Sequence, residues 1–501
     1  MKRDGSRRER QSVADRLTKT MLVAAPLIAL LVTIVTHRGG LPVEPAICAG
    51  VATWCALWWI FECLNLAAVG LIPLVVFPAT GILTEAVVAR SYGHPMILLL
   101  MGGFFLSAAM ENVGAHRRVA LTMVRLVGGT SARRLVLAFM LTTAGLSMWI
   151  SNTAAALMMV PIALAILKQS DAPGLRVPLL LGIAYSASIG GMSTPIGTPP
   201  NVMFMGQIEK LFGIRYGFGS WMSVALPIVA ILLPAVWVWI TRGMRSDVSL
   251  SVPDPGPWRT SEKRVLTVLF VTALAWTFRS GPWGGWSGWL PTLAGDRSLI
   301  GDTTIAIAAS MVVFICPAGD PRPADDSDSA DGADTPDEPE AAGGITPRLL
   351  SWSAASQIHW GILLMFGGGL ALAEGFEVTG LSAAIGQQLS IFAGAPTILI
   401  ILTVCLLVTF LTELTSSTAT ASLMLPILGG LAVATSLPPE SVMIAGTISA
   451  SCAFMLPVAT APNVIVFAAG GIKTAEMARN GIVLNLFAAV IIASLATWLL
   501  T

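Results

Sequence analysis

A hydroxyl–amide cluster set in an apolar run, with a proline ten residues on, occurs twice in this chain and restricts it more than anything else. "ISNTAAALMMVPIALAI" spans 150–166 and "TSSTATASLMLPILGGL" spans 415–431. Ser151 and Ser416 are 265 residues apart, as are Pro161 and Pro426. Gly102 in "LLLMGGFFLSA" and Gly367 in "LLMFGGGLALA" repeat that offset. "STPIGTPPNVMFMG" (193–206) then matches "MLPVATAPNVIVFAAG" (455–470), with Asn201 and Asn463 offset by 262. Landmarks in the same order at nearly constant spacing indicate an internal repeat.

The setting of that repeat is a membrane. Of 501 residues, 55% are hydrophobic and 11% charged, too little polar surface for solubility in water. Hydropathy predicts spans near 18–36, 43–61, 66–83, 94–112 and 220–241, then 262–279, 301–316, 359–376 and 480–500. Interrupted regions at 133–168 and 396–435 and broken spans at 178–212 and 438–470 complete the pattern. The fold class expected is an all-α polytopic membrane protein of about 11 transmembrane helices plus two re-entrant hairpins, in two inverted repeats. The corresponding segments are a basic N-terminus (1–17), a first helix (18–42), a first repeat (43–241) and a second (262–501), with an acidic disordered loop at 317–344. The charged N-terminus does not suit a signal peptide, so the first helix is read as retained.

Lys2, Arg3, Arg7, Arg8, Arg10, Arg16 and Lys19 assign the N-terminus to the cytoplasm by the positive-inside rule. The basic stretches 116–134 and 241–264 then fall on the same side and the Trp-rich loop 280–291 outside. The count closes only if 133–168 and 396–435 each enter and leave on one face. The C-terminus is then external, and the expected location is the inner (plasma) membrane.

A hairpin tip in lipid has backbone groups that no helix satisfies, tolerable only where it lines a cavity. Ser, Thr and Asn there offer oxygens for a hard cation and donors for an anion. In "TPIGTPPN" and "PVATAPN" the Pro-rich break frees carbonyls, and the Asn can brace the loop. No Lys or Arg is read inside the apolar spans of either repeat. A dianion at mid-membrane therefore needs bound cations and helix N-termini, and anion binding should require the cation. Sodium assembling the tips before the anion binds is the expected order.

Other residues are assigned blander parts. Cys48, Cys55, Cys63, Cys316, Cys405 and Cys452 lack metal spacing and are read as packing residues. His37, His94, His116 and His359 fall at span ends, with no metal centre implied. Glu413, inside the second hairpin, is read as a hydrogen-bonded brace in preference to a proton carrier, and Glu111 and Glu374 as interfacially solvated. The amphipathic stretch 116–127 is expected along the cytoplasmic interface as a hinge arm. Membrane-embedded hydrolysis finds no mid-span His to act as base, so no enzymatic activity and no catalytic residue is assigned.

At "SNT" (151–153), "TELTSST" (412–418), "GTPPN" (197–201), "ATAPN" (459–463) and "MARNGIVLNL" (477–486), the chain resembles the divalent-anion/sodium symporter family, carriers of dicarboxylates, citrate or sulfate. The resemblance covers most of 43–501 and implies sodium-coupled transport of a small dianion, C4-dicarboxylates such as succinate first, by an elevator motion within a homodimer. It implies Na⁺ as coupling ion, two or more, with no organic cofactor and no nucleic-acid partner; the lipid bilayer is the other partner. Carried over by position, Ser147, Ser151, Asn152 and Gly197 form one sodium site and Thr412, Ser416 and Ala459 the other. Asn152, Thr153, Thr198, Pro200, Ser417, Thr418, Thr460 and Pro462 line the substrate site. One departure bears on ion stoichiometry and preferred anion: the family usually has Asn where this chain has Ser417, which is shorter and lacks the amide. An anion exchanger or proton-coupled carrier on the same fold, for sulfate, citrate or another oxyanion, is the alternative.

Overall fold

The computed structural model describes residues 2–127, 131–169, 174–244, 256–279, 285–290, 292–293, 297–319, 347–389 and 394–500, with side chains from Thr18 onward. Most of the acidic stretch 317–344 lies outside the described residues. The described fold is helical apart from one short antiparallel pair, Thr292–Leu293 with Arg297–Ser298. Among the described residues seven segments are long and apolar enough to cross a membrane, including Val43–Ile60, Phe218–Ile240 and Thr474–Leu500.

In chain order the helices are α1 (Lys2–Arg38), α2 (Val43–Ile60), α3 (Leu66–Val69), α4 (Ile72–Ala79), α5 (Glu85–Tyr92), α6 (Pro95–Asn112), α7 (Ala115–Val127), α8 (Ala132–Ser147), α9 (Asn152–Gln169), α10 (Arg176–Gly191), α11 (Pro199–Phe212) and α12 (Phe218–Ile240). There follow α13 (Thr260–Thr277), α14 (Asp302–Ile315), α15 (Trp352–Ala355), α16 (Trp360–Val378), α17 (Leu381–Leu389), α18 (Thr397–Thr412), α19 (Ser417–Thr435), α20 (Pro439–Ala450), α21 (Ala461–Ala468) and α22 (Thr474–Leu500).

The interruptions fall where the motifs predict. α8 and α9 are separated at 148–151 and α18 and α19 at 413–416, while α10/α11 and α20/α21 break at 192–198 and 451–460. Pro199 and Pro462 sit in the first turn of the helices that follow these breaks, where a missing N–H costs nothing. One expectation needs correcting. The span 66–83 is not continuous: it divides into α3 and α4, and the carbonyl freed at Gly70 accepts from the Tyr92 hydroxyl at 2.5 Å.

Packing repeats the sequence relation. α8 lies on α10 and α10 on α12, as α18 lies on α20 and α20 on α22. The two halves also interlock: α9 packs on α21, and α19 packs on α11. The Tyr185 hydroxyl adds a tie between them, donating to the Phe454 carbonyl at 2.8 Å. Beside this assembly, α16 collects α3, α4, α5 and α11, and α6 packs on α14.

Buried cysteines are confirmed as packing atoms at Cys48, Cys55, Cys405 and Cys452, while Cys63 and Cys316 are half-buried. The amphipathic stretch forms α7, which buries Ala115, Ala120, Leu121 and Val124. It is fastened to the next half by Arg118, which pairs with Glu262 at 2.5 Å and lies over the Trp258 ring.

Candidate functional site

Four helices begin at the tips and breaks: α9, α11, α19 and α21. Each is preceded by a hydroxyl residue, Ser151, Thr198, Ser416 or Thr460. Three of these hydroxyls cap their helix, accepting from Ala154 N at 3.2 Å, Ala419 N at 3.1 Å and Asn463 N at 3.3 Å. Helix N-termini carry unsatisfied N–H groups and a partial positive charge, so each is suited to an anion.

At the first tip, the Ser147 hydroxyl lies 2.6 Å from Asn152 Oδ1 and 2.8 Å from the Ala187 carbonyl. Gly191 and Gly197 close the cradle. A Cβ on Gly191 would lie 2.4 Å from Asn152 Oδ1. A Cβ on Gly197 would lie 2.5 Å from the Gly191 carbonyl and 2.9 Å from the Ser147 carbonyl. Hydroxyl, amide and main-chain oxygens therefore crowd a space without a cationic side chain, a donor set that suits a hard monovalent cation. Ser151 and Asn152 are half-buried at its edge.

The second tip is built similarly with different parts. Thr412, aligned with Ser147, donates to the Ala450 carbonyl at 2.8 Å, and Ala459, aligned with Gly197, is 4% exposed. Ser416 and Ser417 are half-buried, as is Thr460. Thr198, Pro200, Thr418 and Pro462 are buried in or beside the first turns of α11, α19 and α21, and Thr153 is half-buried in that of α9. Each half of the expected site thus assembles within itself. Among the described residues no hydrogen bond joins Asn152 or Thr153 to Ser417 or Thr418; packing of α9 on α21 and of α19 on α11 relates the two halves instead.

The asparagines of the broken spans are braces, as expected. Asn201 Nδ2 donates to the carbonyls of Gly191 at 3.0 Å and Thr194 at 2.7 Å. Asn463 Nδ2 makes the equivalent bonds to Ala453 at 2.9 Å and Leu456 at 3.0 Å. In both, the amide oxygen is buried and has no hydrogen-bond partner among the described residues. A buried, unsatisfied oxygen is costly, and its appearance at both equivalent positions leaves two acceptors free for a cation.

Glu413 is 1% exposed and is indeed a brace: Oε1 accepts from Met455 N at 2.8 Å and Asn485 Nδ2 at 2.7 Å, and Oε2 from Leu456 N at 2.8 Å. Asn485 belongs to the "MARNGIVLNL" stretch, which explains why that stretch carries a polar residue in an apolar helix.

Three readings are corrected. Lys210 does lie inside a predicted span, near the end of α11, and pairs with Glu374 at 2.8 Å while donating to Ser91 Oγ at 2.9 Å and the Leu370 carbonyl at 2.8 Å. Glu374 is accordingly an ion-pair partner across the α11–α16 contact, not merely an interfacial group. Nor is Glu111 simply solvated: it accepts from Ser107 Oγ at 3.1 Å and lines two hollows. The first, about 320 Å³, is bordered by Phe104, Ser107, Glu111, Asn112, Gln357 and the tip residue Ser151. The second, about 630 Å³, follows α9 through Ala154, Leu157, Pro161 and Ala165 opposite His116 and Arg117 of α7. The half-buried Lys210 had a weak sequence signal, a Lys in the mainly apolar "VMFMGQIEKLF"; the hollows had none.

Comparison with known proteins bears on this arrangement. The sequence model of a family described as CitMHS, citrate transporter, matches residues 56–448. The sodium-dependent dicarboxylate transporter SdcS of Staphylococcus aureus strain RF122 is 35% identical over 493 residues, covering 94% of this chain and 89% of that protein. Its namesake from Staphylococcus saprophyticus is 34% identical over the same shares. Among solved structures, the YdaH transporter of Alcanivorax borkumensis superposes with a TM-score of 0.55 at 14% identity, over 82% of this chain and 87% of that one. The last likeness is one of fold.

Proposed function

Because the chain belongs to the citrate-transporter family CitMHS, and so is a membrane carrier, we propose that it moves dianionic C4-dicarboxylates such as succinate, coupled to sodium. The staphylococcal relatives are named sodium-dependent dicarboxylate transporters. The divalent-anion/sodium symporter resemblance read from the motifs agrees with this kinship.

The observation that carries the reading is the cradle of Ser147, Asn152, Gly191 and Gly197, with the free amide oxygens of Asn201 and Asn463 beside their breaks. Such oxygens suit Na⁺, one ion at each tip and so two or more in all. With the cations in place, the N-termini of α9, α11, α19 and α21 hold the two carboxylates of the substrate. Asn152, Thr153, Thr198, Ser417, Thr418 and Thr460 supply donors, and Pro200 and Pro462 shape the loops. Without the cations the helix N-termini, with a fraction of a charge each, would face two negative charges, since Lys210 is already paired with Glu374. Sodium therefore binds first.

The two repeats, 43–241 and 262–501, are inverted, and the interlocked tips travel together past α6, α14 and α16 in an elevator motion within a homodimer. The N-terminus is cytoplasmic and the C-terminus external, in the plasma membrane. Proton coupling is the second reading and rests on Glu413. Three hydrogen bonds from backbone and amide donors hold that carboxylate as a fixed acceptor, which favours the brace over the proton carrier.

Succinate uptake into proteoliposomes tests the proposal. An inward sodium gradient drives accumulation, and replacing sodium by choline abolishes it. Full uptake in choline, or uptake driven by a proton gradient alone, refutes sodium coupling. Competition by succinate, citrate and sulfate ranks the anions.

A further inference from the structure

The hollow beside the first tip contains a carboxylate that the proposed site does not use. Glu111 stands at the end of α6, exposed into the space that borders Ser151 on one side and the crevice along α9 on the other. Its one hydrogen bond is from Ser107, and among the described residues no cationic side chain pairs with it. The same hollow collects further oxygens. Asn112 commits its Nδ2 to the Leu349 carbonyl at 2.9 Å, which leaves its amide oxygen uncommitted, and Gln357 is exposed there. His359 also lines this hollow, and His116 and Arg117 line the crevice along α9 together with Glu111.

We propose that Glu111, which lines both hollows, is a cation-selecting residue, collecting a monovalent cation next to the tip and delaying the dianion until the cation is seated. The inference rests on the sodium-coupled reading above and adds a residue to it. Physically, a carboxylate lining a cleft raises the local concentration of cations and lowers that of anions. The order of binding, cation before dianion, then follows from the approach as well as from the site.

The test is a sodium titration of thermal stability on the purified full-length protein in detergent, at low ionic strength, for wild type and the variants Glu111→Gln, Glu111→Asp and Gln357→Glu. Glu111→Gln raises the half-saturating sodium concentration about three- to tenfold. Glu111→Asp stays near wild type. Gln357→Glu, which adds a second carboxylate to the same hollow and touches no hydrogen bond, lowers it. Adding choline chloride toward 1 M shortens the screening length to about 3 Å and erases the differences. A sodium half-saturation unchanged in both Glu111→Gln and Gln357→Glu, or differences that survive the choline salt, overturns the proposal. Absence of any sodium effect on the wild-type protein overturns the sodium-coupled reading instead.

Discussion

The two hairpins share a plan and differ in how they are held. In the first, the loop of the broken span reaches over to the hairpin: the Thr194 hydroxyl donates to the Met148 carbonyl at 2.5 Å. In the second the relation is reversed. Leu456 stands where Thr194 does, offset 262, and Glu413 where Met148 does, offset 265. There the hairpin's carboxylate receives the loop's own N–H groups, from Met455 and Leu456. One connection is a neutral hydroxyl on a carbonyl, worth about 1 kcal/mol net; the other is a buried charge with three donors, each worth about 1.5–3 kcal/mol. The first tip also borders a hollow, through Ser151, whereas α19 behind the second is packed on α11, α17 and α20. The contrast assigns the first hairpin the more adaptable part and the second the more rigid one.

The largest expected effect attacks the tightest point of that contrast. Gly197→Ala forces a methyl against the Gly191 and Ser147 carbonyls, and overpacking of about 3 kcal/mol corresponds to a loss of about 100-fold in sodium-driven uptake. The reciprocal Ala459→Gly in the second half changes uptake little. Equal losses in both would mean the two tips are held alike. Next comes the brace. Glu413→Gln turns an NH₂ toward donors and leaves at least one buried N–H unsatisfied, destabilising by about 3 kcal/mol. Met148→Leu at the aligned position costs under about 1.5 kcal/mol. Melting curves of both variants in detergent decide the matter; similar midpoints would erase the asymmetry. Smallest is Ser417→Asn, which supplies the amide that the symporter resemblance implies and shifts the succinate-to-citrate preference about twofold, an effect of about 0.4 kcal/mol. Identical kinetics would remove Ser417 from the site.

Much of this was legible in the sequence because breaks in membrane helices need particular residues. Pro199, Pro462, Asn201 and Asn463 mark the broken spans, and the repeated Ser/Asn/Thr clusters mark the tips, since each solves a local backbone problem where it stands. Glu413 was readable as a brace because a buried acid requires partners. What escaped depends on tertiary approach. Nothing local announces that Gly191 faces Asn152 across the cradle, that Lys210 meets Glu374 on α16, or that Glu111 opens onto a hollow. The division of span 66–83 was missed because its second piece is apolar enough to pass for a continuous helix.

The clasp of Arg118 on Glu262 has a mechanical consequence. It pins α7 near its start, while the far end of this 13-residue rod lies toward the first hairpin, on which the helix packs. A rod of about 20 Å turning about such a pivot through roughly 30° carries its free end roughly 10 Å. Within the elevator motion proposed above, the tether lets the first hairpin shift by that distance without unwinding, like a boom swinging from a fixed mast.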